Sequence, residues 1–423
     1  MKVYLLNKIN KKKMTTAATM NFTQRRMAQI ATGFFLLAAI LGTLMRYIYL
    51  WEVPFLDYKN ILHAHSHIAM LGWGFTALAG GFVFIVLPNE IISKVYKNAF
   101  WVNLIAGLGM FFAFLYQGHG AVSIAFSTLH RLVAYYFAWH FLRDLRILPS
   151  TNAVKFAKWA VYWMVISTLG LWAIAPVSAL FGKLHPLYFS SIQFFLHFQF
   201  NGWFTYGVLA LLFKCSEDKG QAIQLPKGTF GILQLSLLLT YALSITWSTP
   251  ENILFYLNSA GVILQIIAFL LLAKGYSKSV DFFLTEDRLS GWLLRLGLLS
   301  LAFKIVVQGA VALPFIAKIS YTIRNFVIGF IHLSMLGAFS LSVIALLLSR
   351  GFLPKSTLAT TGYRLLALGF LLTEAILFIQ GILLWAEKGF WPYYHVILLG
   401  TTALLPFALL LIFTTSFKTE NNT

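Results

Sequence analysis

The sequence predicts an all-α polytopic membrane protein with about twelve transmembrane helices. Hydrophobic residues make up 59% of the chain, charged residues make up only 11%, and long uncharged runs recur from end to end. A chain of this composition builds its fold against lipid. We expect one membrane domain, 28–416, between a basic N-terminal segment, 1–27, and a short tail, 417–423. The runs of spanning length are 28–50, 61–87, 99–117, 121–142, 159–180, 188–213, 230–248, 253–273, 291–313, 323–348, 364–386 and 391–414.

The net charge of +19 indicates a membrane topology and not a nucleic-acid partner. Most of the Lys and Arg residues lie in the N-terminal segment, in the loops that follow even-numbered helices, and in the tail. Basic residues concentrate on the cytoplasmic side of membrane proteins, so this pattern predicts a bacterial inner-membrane protein with both termini in the cytoplasm. The first run lacks a small-residue cleavage site and is too long for a signal peptide, so we expect an uncleaved helix.

The second run, Leu62 to Pro88, carries three histidines, His63, His65 and His67. Imidazoles without partners are costly in hydrocarbon, so a membrane helix that keeps three of them is expected to use them. Residues two apart on a helix point about 200° apart, whereas residues four apart share a face. His65 and His67 therefore serve opposite flanks, which suits two cofactors, while the pair His63 and His67 suits one metal ion.

A histidine five residues before a glycine recurs along the chain, at intervals of 130 and 135 residues. This spacing predicts an internal period of four helices and argues against the two six-helix halves of many secondary transporters. The three histidines are then expected at similar depth, in the outer half of the membrane. The repeated pairs are His67 with Gly72, His197 with Gly202, and His332 with Gly337.

The remaining histidines fall into two groups. His130 and His395 lie in the outer parts of inward-running helices, at the same depth as the repeated histidines. His119 and His185 fall in short outer loops and His140 near the inner end of its helix, so we expect these three to be solvated or capping residues rather than ligands. Neutral imidazole is an axial ligand for haem iron and also binds copper or zinc.

These residues resemble a known family. Histidines on helices two, six and ten of a twelve-helix chain resemble subunit I of the haem–copper oxidase superfamily, and most closely its NnrS-type haem–copper membrane proteins, which are associated with the nitric-oxide response. The second helix is similar to that family's pattern in its HxH motif, its glycines and its Pro-Asn pair, and helix ten is similar to a second family segment. The matching positions are His65, His67, Gly72, Trp73, Gly80, Pro88, Asn89, His332, Gly337 and Arg350.

The resemblance implies a pseudo-threefold arrangement, three arcs of four helices, around a bound haem. A b-type haem would lie between His67 or His65 and His332, and a copper ion or second haem would lie near His197. The resemblance further implies that arginines near the outer face pair with haem propionates, and it leaves other histidines as additional metal ligands. The arginines are Arg46, Arg131 and Arg324, and the additional histidines are His63, His130 and His395.

Several features depart from the oxygen-reducing members. Helix seven, 230–247, has no histidine, and Asn201 stands four residues after His197 where those members have a tyrosine. The chain also has a single cysteine, Cys215, which excludes an internal disulfide and any thiolate-based dinuclear copper or iron–sulfur centre within it. We therefore expect no dioxygen-reducing centre, and whether the protein is an enzyme, a haem-dependent oxidoreductase, stays open.

The function implied by the resemblance is nitric-oxide handling or a related respiratory redox task, with a respiratory-chain electron donor. Two alternatives stay open: a secondary transporter whose histidines bind substrate or protons, and a cofactor-less assembly partner of a respiratory complex. Lys304 and Glu374 are too costly for lipid and are expected to face the bundle interior. A pair that stabilises two helices is favoured over a proton path for these two residues.

Overall fold

The computed structural model describes residues 2–276 and 287–417, and every regular element within them is helical. Nine helices there are long and apolar enough to cross a membrane. The predicted tail lies outside the described residues, apart from Phe417. The long helices are α1 (Lys2–Ile48), α2 (Tyr58–Val86), α3 (Lys94–Gln117), α4 (Ala121–Leu145), α5 (Asn152–Phe181), α6 (186–217), α7 (Thr229–Ile245), α8 (Asn252–Tyr276), α9 (Arg288–Ala310), α10 (Arg324–Ser349), α11 (Thr357–Trp385) and α12 (Tyr394–Thr415).

The prediction of many membrane helices is confirmed, and each predicted run coincides with one of these helices. The three that fall outside the nine are α4, α6 and α7. Of these, α7 is an apolar helix of 17 residues, which is shorter than the roughly 20 residues of a typical membrane span. The number twelve for membrane crossings therefore stays a prediction.

Helix ends follow from local sequence. The starts of α2, α5 and α11 are capped by Asp57, Thr151 and Ser356. The side chain of each accepts a hydrogen bond from the backbone N–H of the residue three positions later. Gly118 and Gly182 end α3 and α5 with φ values of 59° and 83°, a conformation that favours glycine. These signals place the turns between apolar runs.

Contacts between consecutive helices run along the whole bundle and close on themselves. Each long helix packs against the next along the chain, and α12 packs against α1. In the most apolar window of α2, 89% of residues are buried, and in that of α10, 83%, against 22% to 56% in the other seven spans. Helix α6 contacts both α2 and α10, so these three helices meet at the centre of the bundle.

The three central helices change from α to π geometry directly after the repeated histidine. The α-helical starts end at His67, His197 and His332, and the π segments are Ile68–Gly74, Phe198–Phe204 and Leu333–Leu341. A π segment inserts an extra residue into the turn and is frequent at functional sites. The repeat seen in the sequence thus corresponds to a repeated local distortion of the backbone.

The π segments contact one another across the bundle axis. The indole Nε1 of Trp73 donates to the hydroxyl of Ser340 at 2.8 Å, and the rings of Phe204 and Phe339 lie 4.6 Å apart. A Cβ added at Gly74 would lie 2.8 Å from the Phe204 ring. The glycine keeps this contact close, because any larger side chain would push the two helices apart.

The repeated glycine has a steric role in this packing. A Cβ at Gly202 would lie 2.6 Å from Trp163, and a Cβ at Gly337 would lie 2.4 Å from Phe370. Real Cβ atoms essentially never approach other atoms this closely. Glycine therefore lets a ring from an outer helix pack directly on the backbone of each inner helix.

Candidate functional site

The two histidines of the HxH motif face opposite flanks of α2. The Nδ1 atom of His65 lies 2.8 Å from the carbonyl oxygen of Ala38 on α1. The ring of His67 instead packs 4.2 Å from that of Phe114 on α3. The orientation expected from helical spacing is confirmed, so each histidine belongs to a different site.

The first site lies between α1, α2 and α10 and is called the His65–His332 site; it comprises His65, His332, Arg46 and Glu374. Helices α2 and α10, which carry His65 and His332, contact each other, and α1, which carries Arg46, packs against α2. A Cβ at Gly42 would lie 3.1 Å from the His65 ring, so this position of α1 leaves little space for a larger side chain.

The hydrogen bond of His65 determines which of its ring nitrogens is available. A carbonyl oxygen only accepts, so Nδ1 of His65 carries the proton and Nε2 holds a free lone pair. Metal-ligating histidines typically donate one ring N–H to such a carbonyl or carboxylate and bind the metal through the other nitrogen. His65 thus has the protonation pattern of a ligand.

His332 has a carboxyl group behind its ring. Its Nδ1 atom lies 3.9 Å from Oε1 of Glu374, and neither carboxyl oxygen of Glu374 has a hydrogen-bond partner although both are buried. The His332 side chain keeps 30% of its surface accessible, against 9% for Glu374. With Nδ1 directed toward Glu374, Nε2 is the ring nitrogen left for a ligand.

The His65–His332 site contains residue types that can hold a haem. Two imidazoles on facing helices offer Nε2 atoms, which is the donor set of a bis-histidine haem, and a guanidinium is present for a propionate. Arg324, at the start of α10, acts together with Arg46 on Tyr58 at the outer end of α2. Two of the three predicted arginines therefore lie on this flank.

The second site, the His67 cluster, lies on the other flank of α2 and comprises His63, His67, His119, His130 and Arg131. Nε2 of His119 lies 3.2 Å from Nδ1 of His63, and the rings of His67 and His119 are 5.9 Å apart. His67 and Arg131 both act electrostatically on His130. Of the arginines predicted to meet propionates, Arg131 thus lies apart from the other two.

His67 and His130 both keep a free Nε2 atom. Nδ1 of His67 donates to the carbonyl of His63 at 2.8 Å. Nδ1 of His130 lies 2.7 Å from Oδ1 of Asn103, whose amide donates to the hydroxyl of Thr76 at 2.9 Å. Because the asparagine's NH₂ is occupied, its oxygen accepts from His130.

His119 is the residue of this cluster that the sequence did not indicate as a ligand. It stands in the turn between α3 and α4 and is exposed there, as the sequence predicted. Partial burial lowers the pKa of His119, and the positive charges of Lys59 and Lys183 lower it further. One feature of the sequence could have predicted this contact. The outer turn after α3 is short, so it returns the chain beside the first turns of α2, where His63 lies.

Arg131 is anchored in part by other groups. Its guanidinium donates to the hydroxyl of Thr128 at 2.7 Å and lies 4.3 Å above the ring of Trp172. Its Nε atom is buried without a partner. One donor of this side chain is therefore free to meet an anionic group beside His67.

His197 belongs to neither flank, and its surroundings do not fit a copper ion. Its Nε2 atom donates to the carbonyl of Leu237 at 2.9 Å, and its Nδ1 atom lies 3.3 Å from the amide nitrogen of Asn201. Oδ1 of Asn201 accepts from the ammonium of Lys304 at 2.6 Å. Both ring nitrogens are used, and the amine of Lys304 lies directly behind Asn201.

Lys304 and Glu374 face the bundle interior as expected, since both are buried. They do not pair with each other, because Lys304 binds Asn201 and Glu374 lies behind His332. Lys304 therefore links two helices, α9 and α6, as expected. Its partner is an asparagine and not an acid. Glu374 joins the His65–His332 site instead.

The other histidines have local roles. His185 caps α6, where its Nδ1 accepts the backbone N–H of Leu187 at 3.2 Å. His140 packs beside Tyr136 at 4.6 Å. His395 stacks on Tyr49 at 5.1 Å, at the outer end of α12 and outside both sites.

Within the described part of the chain, no three His, Cys, Asp or Glu side chains stand ready-made around a metal position. The two sites are therefore defined by pairs of imidazoles and their hydrogen bonds. Comparison with protein-family models and with curated proteins finds no match to this chain.

Proposed function

We propose that this protein is a haem-binding membrane protein of the haem–copper oxidase type, closest to NnrS, and that it holds a b-type haem between His65 and His332. Its role is then respiratory redox chemistry or nitric-oxide handling, with electrons supplied by a respiratory-chain donor. The observation that carries the proposal is the pairing of these histidines. They lie on the two most buried spans, α2 and α10, which contact each other at the bundle centre, and His65 keeps its Nε2 atom free.

The pairing of His65 with His332 favours His65 over His67, the other helix-two ligand that the sequence left open. His332 has His65 as its electrostatic neighbour, whereas His67 has His63, His119 and Arg131. His65 is therefore the proposed helix-two ligand, and His67 is assigned to the other flank.

The pseudo-threefold arrangement of twelve membrane helices is part of this proposal. It is supported by the three α-to-π junctions, which follow His67, His197 and His332, and by the contacts of the three helices at the bundle centre. The distribution of Lys and Arg supports the bacterial inner membrane with both termini cytoplasmic.

The residues of the site have distinct roles in this proposal. Nε2 of His65 and Nε2 of His332 would hold the iron, Arg46 and Arg324 would neutralise propionates, and Glu374 would orient the His332 ring. The haem supplies one-electron redox chemistry. A haem held by both histidines would suit electron transfer, and nitric oxide would compete with one of these histidines for the iron.

One observation favours the transporter alternative. Lys304, Asn201 and Gln265 line a small internal cavity between α6, α7, α8 and α9, and a buried oxygen of Gln265 has no partner there. Buried polar groups in membrane helices often mark ion or proton pathways. A transporter of this kind predicts a colourless protein, so an optical spectrum separates the two functions.

The test is the optical spectrum of the purified protein from haem-replete cells, oxidised and reduced. We expect sharp reduced bands that are lost in both His65→Ala and His332→Ala. His185→Ala is the matched control, because this histidine caps a helix in an outer loop, and we expect it to keep the bands. A colourless wild-type protein, or bands that survive both ligand substitutions, contradicts the proposal.

A further inference from the structure

We propose that the cavity between α6, α7, α8 and α9 binds one internal water molecule, which bridges the ammonium of Lys304 to the amide oxygen of Gln265. This site is separate from both histidine flanks of α2 and does not depend on the proposed haem. The bound water joins α8 to α9 and α6 by hydrogen bonds inside the membrane.

Lys304 has hydrogen-bond donors that the protein does not use. It is 2% exposed, and its Nζ atom donates to Oδ1 of Asn201 at 2.6 Å. An ammonium has three donors, and none of the ion pairs in the described part of the chain includes Lys304. The ring of Phe330, 5.9 Å away, offers only its face. A buried charge without partners is costly, so a further acceptor beside Lys304 is expected.

Gln265 supplies an acceptor in the same cavity. It is 8% exposed, and its Nε2 atom donates to Oε1 of Gln308 on α9 at 3.1 Å. Its own Oε1 atom is buried and accepts no hydrogen bond from the described residues, although such atoms normally find a donor. Lys304 and Gln265 line the cavity and Gln308 does not, so the oxygen is the end of the Gln265 amide that is open to it.

The cavity has the size of one water molecule. Its volume is about 10 Å³, and a buried water needs about 10–15 Å³ and two to four polar partners. Lys304 and Gln265 provide two such partners. Three hydroxyl-bearing side chains also line the cavity, those of Thr205, Tyr206 and Ser236.

The combination of a donor and an acceptor identifies the class of ligand. A small anion accepts from Lys304 but is repelled by the partnerless oxygen of Gln265. A metal cation is repelled by the charge of Lys304. A single water molecule accepts from Lys304 and donates to Gln265, so it satisfies both groups at once.

The bound water completes a hydrogen-bonded network across four helices. Asn201, which accepts from Lys304, has its amide nitrogen 3.3 Å from Nδ1 of His197, and Nε2 of His197 donates to the carbonyl of Leu237 on α7. With the water between Lys304 and Gln265, the network runs from α7 through α6 and α9 to α8. A buried polar network whose members are all satisfied favours one arrangement of the helices that carry it.

The first experiment is X-ray hydroxyl-radical footprinting of the full chain in detergent, in water enriched in heavy oxygen. The pulse forms radicals from water at its binding site, and mass spectrometry counts the label on each side chain. We expect label on Tyr206, which is 1% exposed and lines the cavity, and only background on Tyr363, which is 0% exposed and lies outside it. Background label on Tyr206, or equal label on both tyrosines, would overturn the proposal, and this wild-type result does not depend on the folding of any variant.

The second experiment is a double-mutant cycle on the unfolding temperature. Lys304→Met and Gln265→Leu each remove one partner of the water and should lose the label on Tyr206, because apolar cavities of this kind stay dry. Both substitutions act on one water, so the double variant should lose less than the sum of the two single shifts. Ser356→Ala, which removes a distant helix cap, is the control and should add its full shift to that of Lys304→Met.

Two outcomes of the second experiment would contradict the water site. Additive shifts for Lys304→Met and Gln265→Leu would mean that no shared ligand connects them. A wild type that chloride stabilises, with no such effect in Lys304→Met, would identify an anion as the occupant of the cavity.

Discussion

Glu374→Gln tests whether the carboxyl group behind His332 acts on the proposed haem ligand. Nδ1 of His332 lies 3.9 Å from Oε1 of Glu374, and both carboxyl oxygens lack a partner. A shift of roughly 1 Å brings these atoms to hydrogen-bond distance. Hydrogen-bond partners of a metal-ligating histidine typically contribute about 10–100-fold in affinity, which corresponds to about 1.4–2.7 kcal/mol.

The assay for Glu374→Gln is haem transfer to an acceptor protein, with the midpoint potential measured on the same sample. We expect weaker haem retention by about 10–100-fold and a higher potential, because an acid that can take up the Nδ1 proton of His332 makes this ring a stronger ligand for ferric iron, and an amide cannot take up that proton. If the acid is only a buried structural group, its removal should raise the thermal stability and leave both haem properties unchanged. That outcome would refute the assignment of Glu374.

Two further predictions concern the fold. Gly337→Ala places a Cβ 2.4 Å from Phe370, so we expect a loss of about 1–3 kcal/mol in thermal unfolding, whereas Gly400→Ala, where a Cβ meets nothing within 4 Å, should not destabilise. Asp287→Ala removes the cap of α9 and an ion pair with Lys355 at 2.6 Å, and we expect a lower unfolding temperature. Burial would raise the pKa of Asp287, but Lys355 and the helix start lower it overall, so its contribution is present above about pH 4 and is lost as the pH falls further; a pH series of unfolding temperatures on wild type and variant checks this.

Local periodicity explains what the sequence predicted well. Hydropathy located the helices because a span needs about 20 apolar residues in a row. The opposite orientations of His65 and His67 followed from the α-helical turn, and the structure confirms them. These properties are set by residues close together in the chain.

The composition of each site was not predictable in the same way. Which flank of α2 meets α10, and which loop meets His63, depend on packing between helices far apart in sequence. The π segments add to this difficulty, because an extra residue in a turn rotates every later side chain away from its α-helical position. Glu374 lies 42 residues after His332, so no local pattern joins them.

The most direct measurement of the central claim is the electron paramagnetic resonance spectrum of the oxidised, purified protein, with its haem content determined on the same sample. Two histidine ligands give a six-coordinate, low-spin ferric haem, and the account predicts this signal at one haem per chain, with its loss in His332→Ala. A protein without haem, or one whose low-spin signal remains in His332→Ala, would contradict the account.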